Sequence, residues 1–138
     1  MNGDGKADVC GRAAAGLACA LSSGTAFGAF GALQTALYND ASGWGGDRGY
    51  WGTLQFPDVN GDGKSDVCAR GVGGVDCALS TGTSFGTFGV WQAEFADSSG
   101  WTGLAYATTI RFPLGTIGTC AQRALATPQP SPAARFGL

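Results

Sequence analysis

Thirty-three consecutive residues of this 138-residue chain return 58 positions later with 21 identities. Residues 2–34 align on residues 60–92 without a gap, from Asn2-Gly3-Asp4-Gly5-Lys6 over Asn60-Gly61-Asp62-Gly63-Lys64 to Gln34 over Gln92. The offset then drifts to 57, where Ser42-Gly43-Trp44 meets Ser99-Gly100-Trp101, and to 56, where Phe56-Pro57 meets Phe112-Pro113. Small loop deletions between equivalent units produce such drift, so the sequence describes two like units, not one irregular domain. These are residues 1–59 and residues 60–113, and residues 114–138 follow without the pattern.

Each unit reads as short antiparallel strands. In the second, residues 66–70 and 75–79 flank Gly71-Val72-Gly73-Gly74, a hairpin whose glycines can take the positive φ of a tight turn. Ser80-Thr81-Gly82-Thr83 turns again, and residues 85–91 and 101–112 supply further aromatic and β-branched strand material. No window keeps the i, i+3, i+4, i+7 spacing of a helix over ten or more residues. The expected fold is all-β, with three or four antiparallel strands per unit. Glycine agrees: 25 of 138 residues is about 18%, against an average near 7%. Seven pairs of glycines at equivalent repeat positions account for 14 of the 25, so they mark turns and strand breaks and not a low-complexity tract.

Charge and residue types narrow the function. Eight Lys and Arg against ten Asp and Glu leave a formal charge of −2, with no basic run to track phosphates, which speaks against nucleic acid. The absence of histidine removes the commonest general base and every Ser-His or Cys-His nucleophile. A carboxylate pair is the remaining route to catalysis, but Asp47, Glu94 and Asp97 are scattered and read as solvated surface. No stretch reaches the 18 or more apolar residues of a membrane span.

The clustered carboxylates lie in one loop. Asp58, Asn60, Asp62 and Asp66 occupy loop positions 1, 3, 5 and 9, with the Lys64 carbonyl at 7 and Gly63 at the bend. Hard oxygen donors on alternate residues are the ligand pattern of a calcium loop. Ala69 stands where an EF-hand has its bidentate Glu, so the loop should open a β-hairpin and not join two helices. The first copy keeps Asn2, Asp4, the Lys6 carbonyl and Asp8 without a leading Asp, and should bind more weakly. Plain turn chemistry also suits Asn-Gly-Asp-Gly. Crowding three carboxylates around one loop costs repulsion unless a cation sits among them.

Cys10/Cys19 and Cys68/Cys77 each straddle a hairpin at the same nine-residue spacing, and facing strand positions make two local disulfides reasonable. Free buried thiols are the alternative. Disulfides place the chain in an oxidising, extracellular setting. The first residues carry no leader pattern, which fits a first unit cut short, since Asn2 has only Met1 before it. After Pro113 a third copy is due, yet Leu114-Gly115-Thr116-Ile117-Gly118-Thr119-Cys120 appears. Back-translated and read from the third codon base, residues 115–120 allow Asp-Asp-Arg-Asp-Val-Cys, so a frameshift is one expectation and a linker-like tail the other.

Residues 56–68, Phe-Pro-Asp-Val-Asn-Gly-Asp-Gly-Lys-Ser-Asp-Val-Cys, followed by Thr83-Ser84-Phe85-Gly86, resemble the FG-GAP/VCBS-like repeats. These are β-propeller blades, also seen in integrin α-chain heads and propeller lectins. The resemblance covers residues 2–113 and implies calcium at Asp58, Asn60, Asp62, Lys64 and Asp66 in an extracellular, non-catalytic module. Fewer than two full blades are present, so self-association to complete a ring is a further expectation. A glycan is the expected ligand, and an adhesion scaffold or an accessory module of a secreted hydrolase the alternative. Trp44 and Trp101 occupy equivalent positions and read as core, whereas Trp51 and Trp91 are unrepeated. Trp91, with Gln92 beside it, and Trp51 are therefore the candidate sugar contacts.

Overall fold

The computed structural model describes residues 1–31 and 33–113; Cys120 and the expectations for the tail lie outside them. Each repeat forms one three-stranded antiparallel sheet. The first is β1 (Val9–Ala13), β2 (Gly16–Ala20) and β3 (Leu33–Thr35), and the second β4 (Val67–Gly71), β5 (Gly74–Ala78) and β6 (Gly89–Gln92), each in sequential order. The all-β class holds. The isolated antiparallel bridge Gln55↔Cys68 pairs one residue with β4, so the end of the first repeat is stitched onto the second sheet.

Hairpin turns of two residues close between Ala13↔Gly16 and Gly71↔Gly74. Only the last residue of each four-residue turn takes a positive φ, 125° at Gly16 and 127° at Gly74. A Cβ there would also strike the carbonyl of Thr35 or Gln92, so conformation and space both demand glycine. Directly opposed, Cys10 and Cys19 form one disulfide at a Cα separation of 4.1 Å, and Cys68 and Cys77 the other at 4.2 Å.

The third strands break the symmetry. Cys19 pairs with Leu33, but Cys77 pairs with Gly89, a slip of two residues in repeat terms. A bulge then restores half of it, since Val75 and Asp76 are consecutive while their partners Gln92 and Val90 leave Trp91 between them. In the first copy Gly31, at φ 88°, turns the chain before the strand begins; its counterpart Gly89 is already part of β6.

Among the described residues, helix is confined to single turns. Asp47 caps α1 (Arg48–Trp51) by accepting the Gly49 N–H, and α2 is Leu104–Ala107. Residues 101–112 therefore do not extend a sheet. Leu and Ala favour the helical turn there, and Thr108 Oγ1 closes it by donating to the Leu104 carbonyl at 2.6 Å.

The main core lies between the two sheets and joins Leu17, Cys19, Leu33, Tyr38 and Trp44 of the first repeat to Val67, Ala69 and Ala78 of the second. Tyr38 stands edge-on to Trp44 at 4.6 Å and to Phe88 at 5.2 Å. Both faces of β4 and β5 are buried, because Cys68, Val75 and Cys77 form a second cluster with Val59, Phe95 and Phe112.

Candidate functional site

The acidic loops are built from side chains that fold back onto their own backbone. In the second loop Asp58 Oδ1 accepts the N–H groups of Gly61 (2.8 Å) and Asp62 (3.1 Å), and its Oδ2 that of Gly63 (2.9 Å). Asn60 Oδ1 accepts from Asp62 N, and Asp62 accepts from Lys64 N at 2.9 Å and Lys64 Nζ at 3.1 Å. The first loop repeats this with Asn2, Asp4 and Lys6, and the Lys6 side chain, followed by its amide, holds Asp4 down at a pKa of about 2. In the same way the Lys64 amide and side chain keep Asp62 below the usual carboxylate range. The two loops adjoin: a Cβ on Gly3 would lie 3.1 Å from the Gly63 carbonyl oxygen.

Asp66 and Asp8, at loop position 9, are placed differently. Asp66 is fully buried, and its carboxylate accepts Val59 N (2.9 Å) and Ser80 N (2.7 Å). Asp8 accepts Ser22 N (2.8 Å) and the Met1 ammonium (2.7 Å), which occupies the position of Val59 N. Burial opposes the Asp8 charge, yet these donors outweigh it and hold the carboxyl below its ordinary range. Each of these aspartates thus ties its loop to the strand end 14 residues on.

The donor chemistry fits a hard divalent cation. All candidate groups are oxygens; Asn60 Oδ1, Asp58 Oδ2 and Asp62 Oδ1 accept one N–H each and keep a second lone pair, whereas Asp58 Oδ1 and Asp62 Oδ2 already accept two and would have to give up a contact to an ion. Among the described residues, no three acidic or thiol side chains converge on one point, because Asp66 is drawn into the interior while Asp62 stays at the surface.

The structure separates the aromatic residues. Trp44 is core, and Trp101 packs on Phe95 at 4.7 Å. Trp91, the bulged residue of β6, is 53% exposed, where its repeat equivalent Leu33 is 2% exposed. Gln92 beside it uses its side-chain oxygen to accept the Glu94 N–H and cap a 3-10 turn. Trp51 ends α1, also exposed; neither it nor Trp91 stacks on another ring among the described residues.

Asp97, expected as solvated surface, instead binds Arg70. That guanidinium is fully buried, donates to the Phe95 carbonyl and to Asp97, and lies 5.3 Å from the Tyr50 ring centre. Tyr50 Oη donates to the other Asp97 oxygen at 2.6 Å, and that bond, followed by burial, pushes the phenol up to about 12. Arg12 and Asp40 repeat the pair in the first unit.

Sequence reasoning passed over Asp76. Its residue is 6% exposed on β5, and its carboxylate lines a cavity of about 280 Å³ between the units, walled by Trp44, Tyr50, Phe88 and Val90. Burial raises its pKa to about 6, and none of the ion pairs among the described residues includes it. The signal was present: Asp76 replaces Ala18 of the first copy, and Gly71 replaces Ala13. A Cβ on Gly71 would sit 2.7 Å from Asp76 Oδ2 and 2.9 Å from the Trp44 ring, so the two exchanges belong together. Compared with protein-family models, with curated proteins and with solved structures, the chain finds no match in any of the three.

Proposed function

We propose that the chain is a non-catalytic binding module of the FG-GAP/VCBS-like kind, whose β-repeats act as propeller blades, hold calcium in their acidic loops and bind glycans outside the cell. The observation that carries the glycan reading is Trp91. A position that is core in the first repeat has become an exposed indole in the second, raised by a bulge at a sheet edge. Bulges re-aim side chains at functional positions, and a bare aromatic face flanked by polar groups is what a sugar ring stacks on. On a glycan array the wild type should give discrete signals that Trp91→Ala loses with its melting temperature unchanged. An unaltered array would remove Trp91 from the site.

For calcium, Asp58, Asn60, Asp62, the Lys64 carbonyl and Asp66 would hold the ion in the second loop, with Asn2, Asp4, Lys6 and Asp8 forming a weaker site in the first. The bound ion would supply charge neutralisation and rigidity. The two disulfides support an oxidising compartment.

A second reading, association with another protein or another copy, is favoured by one asymmetry. Phe85 and Phe88 of the second repeat pack on the core between the units, whereas their equivalents Phe27 and Phe30 are 56% and 72% exposed. The first repeat thus offers the face by which the second meets its neighbour. Light scattering across a concentration series tests this: a wild-type oligomer that Phe30→Ser returns to monomer supports it, and a monomer throughout rejects it.

A further inference from the structure

We propose that the cavity over Asp76 binds a small organic cation, a protonated primary amine on a compact frame no larger than a sugar ring. At about 280 Å³ the cavity falls just short of the roughly 300 Å³ at which drug-sized ligand sites start, which limits the occupant to a single small ring. Asp76 is 6% exposed as a residue, its carboxylate opens onto this cavity, and no donor among the described residues reaches it, so its charge is poorly compensated until a ligand completes it. The first repeat shows that the hairpin folds without it, since Ala18 and Ala13 stand at the equivalent positions. The second copy carries both the acid and the glycine that makes room for it.

What is missing around Asp76 is both a donor and a positive charge, and an ammonium group supplies both. Trp44, Tyr50 and Phe88 add ring surfaces that attract a cation and cover the apolar part of its frame. A neutral sugar would supply donors only and leave the charge uncompensated. Because the cavity and Trp91 are separate features, this inference stands apart from the glycan reading.

Cyclohexylammonium and cyclohexanol share a ring and differ by the charge, so the pair isolates the claim. The full chain, disulfides intact, is titrated with each at constant ionic strength near pH 7, following the backbone amides of residues 71–73 and the Trp44 indole by NMR. The ammonium should bind at least ~10-fold more tightly than the alcohol, a difference of about 1.4 kcal/mol. Asp76→Asn should abolish that preference while leaving the alcohol unchanged, and it removes a buried charge, so folding is not at risk. Gly71→Ala, which pushes a methyl against the carboxylate, should also weaken ammonium binding, whereas Trp91→Ala should not. Affinity should fall below about pH 6 as Asp76 protonates; the phenols beside it, Tyr38 shifted upward by burial and by Asp76, and Tyr50 by its hydrogen bond to Asp97 and by burial, stay neutral there. Equal binding of both probes, binding of neither, or an Asp76→Asn variant that keeps the preference would overturn the proposal. Glucose binding at this site in place of the ammonium would overturn it in favour of a neutral sugar.

Discussion

Replacing Asp66 by Asn separates a structural tie from a metal ligand. The carboxylate is fully buried and receives two backbone amides, Val59 N at 2.9 Å and Ser80 N at 2.7 Å. Asparagine keeps the shape but has one acceptor oxygen, so one amide loses its partner and faces an NH2 group. A hydrogen bond to a charged group contributes roughly 1.5–3 kcal/mol, and a buried unsatisfied donor costs about 1–3 kcal/mol. The variant should therefore lose about 2–4 kcal/mol, which at roughly 4 °C per kcal/mol lowers Tm by about 8–16 °C for a chain of this length. Melting curves recorded in excess calcium and again in EDTA decide the cause. A tie through backbone amides predicts that the full loss of about 8–16 °C persists in EDTA, together with faster hydrogen exchange at Ser80 N, any further loss in calcium measuring the share of Asp66 in holding the ion. A loss confined to the calcium buffer would refute this account and make ligation the main work of Asp66.

The complementary variant, Asp62→Ala, should leave the melting temperature in EDTA unchanged while removing any calcium-dependent rise, because Asp62 bonds only to its own exposed loop; an undiminished calcium effect would exclude Asp62 as a ligand. Asp76 gives a pH-dependent test. Its folded pKa of about 6 lies above the ordinary 3.8, so ionisation penalises the folded state fully above about pH 6 and not at all below 3.8. Asp76→Asn should gain about 3 kcal/mol near pH 8 and nothing near pH 3, read from urea unfolding, and a gain independent of pH would contradict the assignment. Removing one disulfide with Cys68→Ser/Cys77→Ser opens a loop of about ten residues and should cost about 2.5–3 kcal/mol on the chain-entropy account, measured against the same protein without reductant.

The parts of this fold that were legible in the sequence are those written in local spacing. Cys68 and Cys77 face each other because nine residues with a two-residue turn leave them opposite, and the repeat shows the same arithmetic at Cys10 and Cys19. Asp97 was not legible. It meets Arg70 across 27 residues, and a partner at that distance leaves no periodic trace. The register slip of β6 was equally hidden, since Gly31 and Gly89 are the same residue in the alignment and differ only in φ. Trp91 and Asp76 both announced themselves as departures from the repeat. The large aromatic was noticed and the single acid was not, although a charge placed where its twin has a methyl group is the harder departure to accommodate.

Tyr38 lies in the first repeat at φ 62°, almost fully buried, and its hydroxyl points at the Val67 and Asp76 carbonyls of the second, 3.5 and 3.4 Å away. Pulling the repeats apart would leave that phenol, together with Trp44 and Phe88, without the surface it packs against. In a linear array of repeats, stability is a sum of intrinsic terms and nearest-neighbour couplings. Here the coupling holds much of the core, so neither sheet should show a melting transition of its own, and heat or denaturant should dissolve both in one step.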